Sequence, residues 1–363
     1  MPAMEENEWE ACYLARGHAP ELESDLQRQL GFVPPYAPYY YDCPWIPRTA
    51  IEVCYLNGNL LHIGQELYEK LNLVVSQDNS CRFCFAAYRL LLRITGIPED
   101  RIRRLEQDLL SADLEPRERA ALAFARKLSH SNPLPSPEDL ERLRDVGFGE
   151  DAIKEMAFVA AYMVGVNQLA TLAAVPVEYW ERLPDSLFVR VLRPLLALRW
   201  RSRWRKGTPD FLEPELRTGP FAYLVNAFDG LPVARAMRHV IDEAWSSPLL
   251  TRRAKSLIFA VVARGLGSGR AGNEAARLAL DEGLDGEMLE DVLAHLGSPV
   301  LAKVESEAVP FARETIWYQP APIQRRARKL CEKLESPQFL ELLGISALAN
   351  TLCRLDAIIQ ETA

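Results

Sequence analysis

Apolar residues recur at three- and four-residue spacings along most of this chain, and this spacing limits the possible folds more than any other feature. A stripe of this kind covers one face of an α-helix. The first clear stripe comprises Leu60, Ile63, Leu67, Leu71 and Val74. Residues that end or begin helices separate the stripes that follow, among them Gly96, Pro98, Pro116 and Pro137. No convincing run of alternating apolar and polar residues, the pattern of a β-strand, occurs. We therefore expect an all-α protein folded as a helical bundle.

Two segments depart from this pattern. Val33–Tyr41 contains three prolines, which do not fit inside a helix, so we expect residues 1–50 to form an irregular arm that packs its tyrosines on a neighbouring surface. Residues 185–214 are rich in arginine and are interpreted as a connector between helical domains at 51–184 and 215–363. A basic amphipathic helix could contact anionic lipid or RNA. Pairing with this acidic protein's own surface is the simpler interpretation.

The second helical domain repeats part of the first at a separation of 187 residues. The matches are Gly96 with Gly283 and Phe124-Ala125-Arg126 with Phe311-Ala312-Arg313, followed after a small deletion by Asn167-Gln168-Leu169 with Asn350-Thr351-Leu352. These matches predict an internal duplication. The same separation aligns three polar or reactive residues with unreactive ones: Cys81 with Ser268, Cys84 with Ala271, and Glu69 with Ser256. The second copy is therefore expected to be structural.

Composition opposes several classes of function. The 42 basic and 50 acidic side chains give a net charge of −8, which disfavours a general role in nucleic-acid binding. No uninterrupted apolar stretch of about 18 residues occurs, so no membrane span is expected. The acidic N-terminus lacks the basic and apolar regions of a signal peptide. The 7 cysteines are scattered apart from one C-x-x-C pair, which suits the reducing cytoplasm.

The pair Cys81 and Cys84 is the strongest chemical signal in the chain. Residues 78–80 offer helix caps, so Cys81 is expected in the first turn of a helix, with Cys84 on nearly the same face. A helix N-terminus and a neighbouring sulfur both lower the pKa of a cysteine. Tyr88 lies one turn beyond Cys84, and Glu69 lies on the preceding helix. If these two helices pack antiparallel, the Glu69 carboxylate can approach the thiols and exchange protons with them.

Other interpretations of these residues stay open. Two cysteines can form half of a zinc site, although no further Cys or His follows at ligand spacing. A cysteine pair can also be an inert part of a core. His62, Glu66 and Glu69 share a helix face that could hold a metal or simply be solvated, and Tyr88 could be a packed aromatic residue. No catalytic role is assigned to His130 or to the other cysteines: Cys12, Cys43, Cys54, Cys331 and Cys353.

Glu69, the gap of twelve residues and the C-x-x-C motif resemble the alkyl hydroperoxidase D and carboxymuconolactone decarboxylase superfamily. Gly96-Ile97-Pro98-Glu99 resembles the segment after the motif helix in that family. The resemblance covers about residues 57–175 and, more faintly, residues 219–359. It implies an all-α bundle and a peroxidase site.

The resemblance also implies roles for four residues. Cys84 would attack a hydroperoxide, Cys81 would resolve the product to a disulfide, and Glu69 would shuttle the proton. The histidine of the family motif C-x-x-C-x-x-x-H falls on Tyr88, which would orient the oxidant or the thiolate instead.

One active half joined to one silent half also resembles the arrangement in sestrins. Taken together, the resemblances imply a cytoplasmic, thiol-dependent peroxidase or disulfide oxidoreductase that reduces hydroperoxides. It would use an external dithiol or protein reductant and no metal, flavin or nucleotide cofactor, as a monomer or homodimer. The alternative is a non-enzymatic, redox-responsive interaction or sensor protein, in which the thiols sense oxidation and the silent half binds a partner.

Overall fold

The helical class predicted from the sequence is confirmed. The computed structural model describes residues 4, 7–49, 60–109, 113–177, 187–204 and 206–362. Within these ranges the chain forms 17 α-helices and no β-strand, and an isolated bridge joins Asp210 to Gly230.

The described residues of the first half form eight α-helices. They are α1 (Pro20–Leu30), α2 (Trp45–Thr49), α3 (Gln65–Asp78), α4 (Arg82–Thr95), α5 (Glu99–Gln107), α6 (Pro116–His130), α7 (Pro137–Asp145) and α8 (Glu150–Leu172). The connector contains α9 (Leu187–Arg203). The second half contains α10 (Ala222–Asn226), α11 (Pro232–Ser246), α12 (Arg252–Leu266), α13 (Gly269–Asp281), α14 (Gly286–His295), α15 (Lys303–Glu314), α16 (Pro320–Cys331) and α17 (Ser336–Thr362).

The N-terminal arm is not irregular throughout, contrary to the expectation for residues 1–50. It contains α1, which begins with Pro20 in its first turn and ends at Gly31 with φ 76°. Leucines four residues apart give this helix a narrow buried face: Leu22, Leu26 and Leu30. The expected packing of the arm's tyrosines is present, since the hydroxyl of the buried Tyr40 donates a 2.6 Å hydrogen bond to the carbonyl of Leu169.

Four successive helices of the first half have counterparts that begin 187 residues later in the second half. The pairs are α3 with α12, α4 with α13, α5 with α14, and α6 with α15. The turns before the paired helices α4 and α13 also agree, because Ser80 and Gly267, 187 residues apart, both adopt positive φ, at 51° and 69°. This common spacing supports the duplication inferred from the sequence, which stays a prediction.

The two longest helices, α8 and α17, pack against each other in the core. Gly165 of α8 allows the close approach, since a Cβ atom there would lie 2.5 Å from Thr351 Oγ1 and 3.1 Å from the Ala347 carbonyl. The packing brings residues of the second half against the site of the first.

Among the described helices, α17 has in its segment Ser336–Ile359 the length and apolar composition of a membrane span, and 94% of the 18-residue apolar window within that segment is buried inside the protein. A central core helix has the same composition.

Candidate functional site

The thiol pair lies at the start of α4, as the sequence predicts. The chain turns at Asn79 and Ser80, and Cys81 is the N-cap of the helix, one position earlier than expected. The backbone N–H of Cys84 donates to the Cys81 sulfur over 3.5 Å. Cys81 and Cys84 are 0% and 3% exposed, and no disulfide joins them. The helix cap thus holds the first sulfur against the first turn.

The pKa of Cys81 lies below its ordinary value, although the residue is buried. Burial raises this pKa, but several donors to the thiolate outweigh it: the Cys84 side chain, the Cys84 backbone N–H, the Thr171 hydroxyl and the Phe83 backbone N–H. A sulfur stabilised in this way is partly ionised at a lower pH than a free thiol, and the thiolate is the reactive form.

Two hydroxyl groups that belong to neither α3 nor α4 lie beside the sulfurs. Thr171 is in the last turn of α8, and its hydroxyl is near both Cys81 and the phenol of Tyr318. Tyr318 lies in the loop between α15 and α16, so it belongs to the second half. Burial raises the pKa of Tyr318, and the nearby Cys81 raises it further. The site therefore contains groups from both halves of the chain.

Arg354 of α17 is a buried cation on the same side of the site. It is 1% exposed, and burial lowers its pKa to about 10. Its guanidinium donates to the carbonyls of Ser129, Ile316 and Asn350 and to the Asn350 amide oxygen. No carboxylate of the described residues forms an ion pair with it, so its charge is balanced only by dipoles.

The structure does not bring Glu69 to the thiols, and that expectation is wrong. The Glu69 carboxylate accepts hydrogen bonds from Thr95 (3.3 Å), Trp200 (2.6 Å) and Gln65 (3.0 Å). Thr95 is the last residue of α4, and at about 1.5 Å per residue it lies roughly 16 Å along the helix axis from Cys84. Burial raises the pKa of Glu69, while the bond from Trp200 lowers it. This carboxylate fastens the connector to the first half.

Tyr88 is one turn beyond Cys84 on α4, as predicted. Its hydroxyl is 3.3 Å from that of Tyr68, and the two rings make an edge-to-face contact with centroids 6.2 Å apart. Tyr68 in turn contacts Trp204, which follows the connector helix. Tyr88 thus packs among aromatic residues, and its role toward an oxidant or thiolate stays a prediction.

The remaining candidates do not form a second centre in the part of the chain that the structure describes. No cluster of three or more His, Cys, Asp or Glu suited to a metal occurs there. The backbone N–H of His62 donates a 2.7 Å hydrogen bond to Glu155, and Glu66 forms an ion pair with Lys70. The other described cysteines form no disulfide, with Cys43 and Cys353 buried and Cys12 and Cys331 partly buried. Cys54 lies outside the described residues, as does residue 57, where the stretch that resembles the family begins.

Sequence reasoning missed Thr171, Tyr318 and Arg354. Thr171 shares the end of α8 with the repeat match Asn167-Gln168-Leu169, and Arg354 follows the corresponding match in α17. These repeat matches mark the helices that meet at the site. No local pattern marks Tyr318, because its proximity to the sulfurs depends on how the two halves pack.

Comparison with solved structures finds a partial likeness. The crystal structure of an alkylhydroperoxidase AhpD core, an uncharacterized peroxidase-related protein from Ralstonia eutropha JMP134, is similar to 47% of this chain and to 96% of its own length. The sequence identity is 24% and the TM-score is 0.38. No protein-family profile and no curated protein matches the chain.

Proposed function

We propose that this protein is a dithiol redox protein that reduces hydroperoxides through Cys81 and Cys84. The observation that carries the proposal is the cap of α4, where the Cys81 sulfur accepts the N–H of Cys84 and lies beside the Cys84 thiol. Two thiols held in this way can close a disulfide across three residues with little backbone movement, as in other C-x-x-C sites.

We assign the nucleophile to Cys81, since its pKa is lowered by hydrogen bonds to the thiolate. The family resemblance gives that role to Cys84 and the resolving role to Cys81. The geometry favours the reverse, because the N-cap sulfur receives the unpaired N–H groups of the first turn. Cys84 then supplies the second thiol.

The second half offers an internal parallel for an anion at this position. Ser268 caps α13 as Cys81 caps α4, with nearly equal dihedral angles of −84° and 96° against −88° and 92°. There the Asp356 carboxylate accepts from the Ser268 hydroxyl (2.6 Å) and from the Ala271 N–H (3.1 Å). A helix start of this shape therefore holds a negative charge in the same molecule.

The proposed cycle has three balanced steps. The Cys81 thiolate attacks the terminal oxygen of ROOH, so an S–O bond forms, the O–O bond breaks and an alkoxide leaves. That alkoxide takes up the proton that Cys81 released on ionisation, giving ROH and a sulfenic acid. The Cys84 thiol then attacks the sulfenic sulfur, and water leaves as the disulfide forms. An external dithiol reduces the disulfide by exchange and becomes oxidised itself.

The test is turnover by the whole purified chain with an organic hydroperoxide and a dithiol. The proposal predicts catalytic loss of peroxide that disappears in both Cys81→Ser and Cys84→Ser. Cys331→Ser is the matched control, since this thiol lies on α16 and burial raises its pKa. Trapping with a sulfenic acid reagent separates the roles: Cys84→Ser should form the trapped adduct, and Cys81→Ser should not. Wild-type activity in Cys81→Ser would contradict the proposal.

Burial of the thiols favours a second candidate, a redox-responsive protein without turnover. Both sulfurs are almost inaccessible, and groups of the second half pack beside them. Oxidation of Cys81 would then change the contact between the halves rather than drive a cycle. One equivalent of peroxide consumed per chain, with no further loss in excess dithiol, would favour this candidate.

A further inference from the structure

The loop that joins α15 to α16 reaches from the second half to the thiol site. We call residues 315–319 the covering loop. Four hydrogen bonds fix it, two to Thr315 and one each at Ile316 and Trp317: Gln168 Nε2 to Thr315 O (2.8 Å), Asn350 Nδ2 to Thr315 Oγ1 (3.0 Å), Arg354 Nη2 to Ile316 O (3.4 Å), and Trp317 Nε1 to His130 O (2.8 Å). The loop is therefore held against both α8 and α17, and Tyr318 has a defined place within it.

The hydroxyl groups of Tyr318 and Thr171 are buried yet incompletely bonded. Neither oxygen completes a well-aligned hydrogen bond with any described residue, although the two hydroxyls are neighbours and Thr171 adjoins Cys81. Tyr318 is partly exposed as a whole residue, whereas its phenol oxygen is buried. Buried hydroxyl groups normally find partners, and leaving one without a partner costs stability.

We propose that the Tyr318 phenol, together with the Thr171 hydroxyl, binds the oxygen atoms of the hydroperoxide and donates a hydrogen bond to the oxygen that leaves. This inference rests on the proposed function, which it deepens by adding a catalytic residue from the second half. It also gives that half a chemical role, where the sequence predicted a structural one.

The chemistry requires a donor that stays protonated beside a thiolate. Burial and the adjacent Cys81 both raise the pKa of Tyr318, so the phenol keeps its proton at neutral pH. As the Cys81 sulfur attacks, negative charge moves from sulfur to the leaving oxygen, and a fixed donor there lowers the barrier. The phenol donates a hydrogen bond without losing its proton, and the alkoxide takes up the proton that Cys81 released.

Arg354 is a positioning residue in this arrangement. Its guanidinium bridges Ser129 O of the first half and Ile316 O of the covering loop. The bridge fixes the loop two residues before Tyr318. A buried positive charge on this side also favours an anionic transition state.

The experiment compares Tyr318→Phe with wild type in the rate at which a hydroperoxide oxidises Cys81 in a single turnover. Loss of the phenol hydroxyl should slow this step roughly 100- to 1,000-fold, the scale of one lost donor to a developing oxyanion. The same variant should react at the wild-type rate with a small disulfide reagent, because no alkoxide leaves in that reaction. A loop that merely lost its packing would change both rates.

Tyr41→Phe is the matched control, since this tyrosine also has a buried hydroxyl without a well-aligned partner, and it lies in the arm beside α1. Cys81 of this variant should be oxidised by the hydroperoxide at the wild-type rate. Thr171→Val is a second variant, expected to slow peroxide oxidation and also to raise the pKa of Cys81. Wild-type peroxide rates in both Tyr318→Phe and Thr171→Val would overturn this inference alone. Failure of Cys81 to react with hydroperoxide in the wild-type chain would overturn the proposed function as well.

Discussion

The indole N–H of Trp200 donates a 2.6 Å hydrogen bond to the carboxylate of Glu69. This bond joins the connector helix α9 to α3, and the Arg201 guanidinium adds a second link by donating to the Thr95 carbonyl. The carboxylate that the sequence placed beside the thiols is therefore part of the attachment of the connector.

Replacing Glu69 by alanine should loosen the connector and leave the thiol chemistry unchanged. The change removes acceptors for Trp200 and Thr95, and bonds to a charged group contribute about 1.5–3 kcal/mol each. We expect faster backbone hydrogen exchange across α9 and lower stability, with peroxide consumption unaltered. Glu66→Ala, which removes an exposed carboxylate one turn away, is the control. Loss of turnover with unchanged exchange in α9 would restore the proton-shuttle role to Glu69.

The pKa of Cys81 should depend on which group replaces the second thiol. Cys84→Ala removes a side-chain donor to the thiolate, whereas Cys84→Ser keeps a hydroxyl that can donate. We expect the alanine variant to raise the pKa of Cys81 by about 1–2 units, the equivalent of one bond to a charged group. Thiolate absorbance near 240 nm, taken as a difference from Cys81→Ser, measures this without reagent access. Equal pKa values in the two variants would contradict the assignment of Cys81 as nucleophile.

The sequence predicts helices better than contacts between them. Prolines at helix starts locate α6 and α7 closely, because proline fits the first turn without losing a hydrogen bond. The C-x-x-C pair is placed correctly at a helix start for a different local reason, since residues 78–80 are polar residues that favour helix caps. Glu69 is misplaced because α3 and α4 run antiparallel. A residue about ten positions before the turn between them lies beside residues ten or more positions after that turn, and these residues are far from the thiols at the start of α4. Tyr318 could not be found at all, since no local pattern encodes the docking of one half on the other.

Asp78 should make the protein less stable as the pH rises from about 4 to about 7. Burial raises its pKa to about 7, although Arg126 opposes this, and His130 lies 3.7 Å away. A carboxyl in an unfolded chain has a pKa near 3.9, so the folded state holds the extra proton between these values. The loss is on the order of 4 kcal/mol for a pKa difference of this size. Asp78→Asn should abolish this slope in urea unfolding measured across the range.

Asp139 provides the control of opposite sign. Burial raises its pKa, but bonds from Lys127 and Ser136 outweigh this and leave it lowered. The stability that ionised Asp139 contributes is therefore fully present above the pKa of the unfolded chain. It is lost only as the pH falls through the lower pKa of Asp139 in the folded state. Asp139→Asn should reduce stability by a similar amount throughout pH 5–8. An equal pH slope in wild type and Asp78→Asn would show that Asp78 is ionised in the folded protein at pH 5.

Gly165→Ala should destabilise the contact of α8 with α17. The new Cβ would lie 2.5 Å from Thr351 Oγ1 and 3.1 Å from the carbonyl of Ala347, and overpacking of this kind costs about 1–3 kcal/mol. Thr351→Ala removes the nearer atom but not the carbonyl, so the double variant should recover part of the loss. Gly272→Ala on α13 is the control, since its Cβ would meet only Ala263 at 3.7 Å; alanine is the better helix former and should be neutral or stabilising there.

Because α8 carries Thr171 and α17 carries Arg354, Gly165→Ala should also slow oxidation of Cys81 by peroxide more than Gly272→Ala does. Full stability in Gly165→Ala, measured by thermal unfolding, would mean that the two helices do not approach as closely as described.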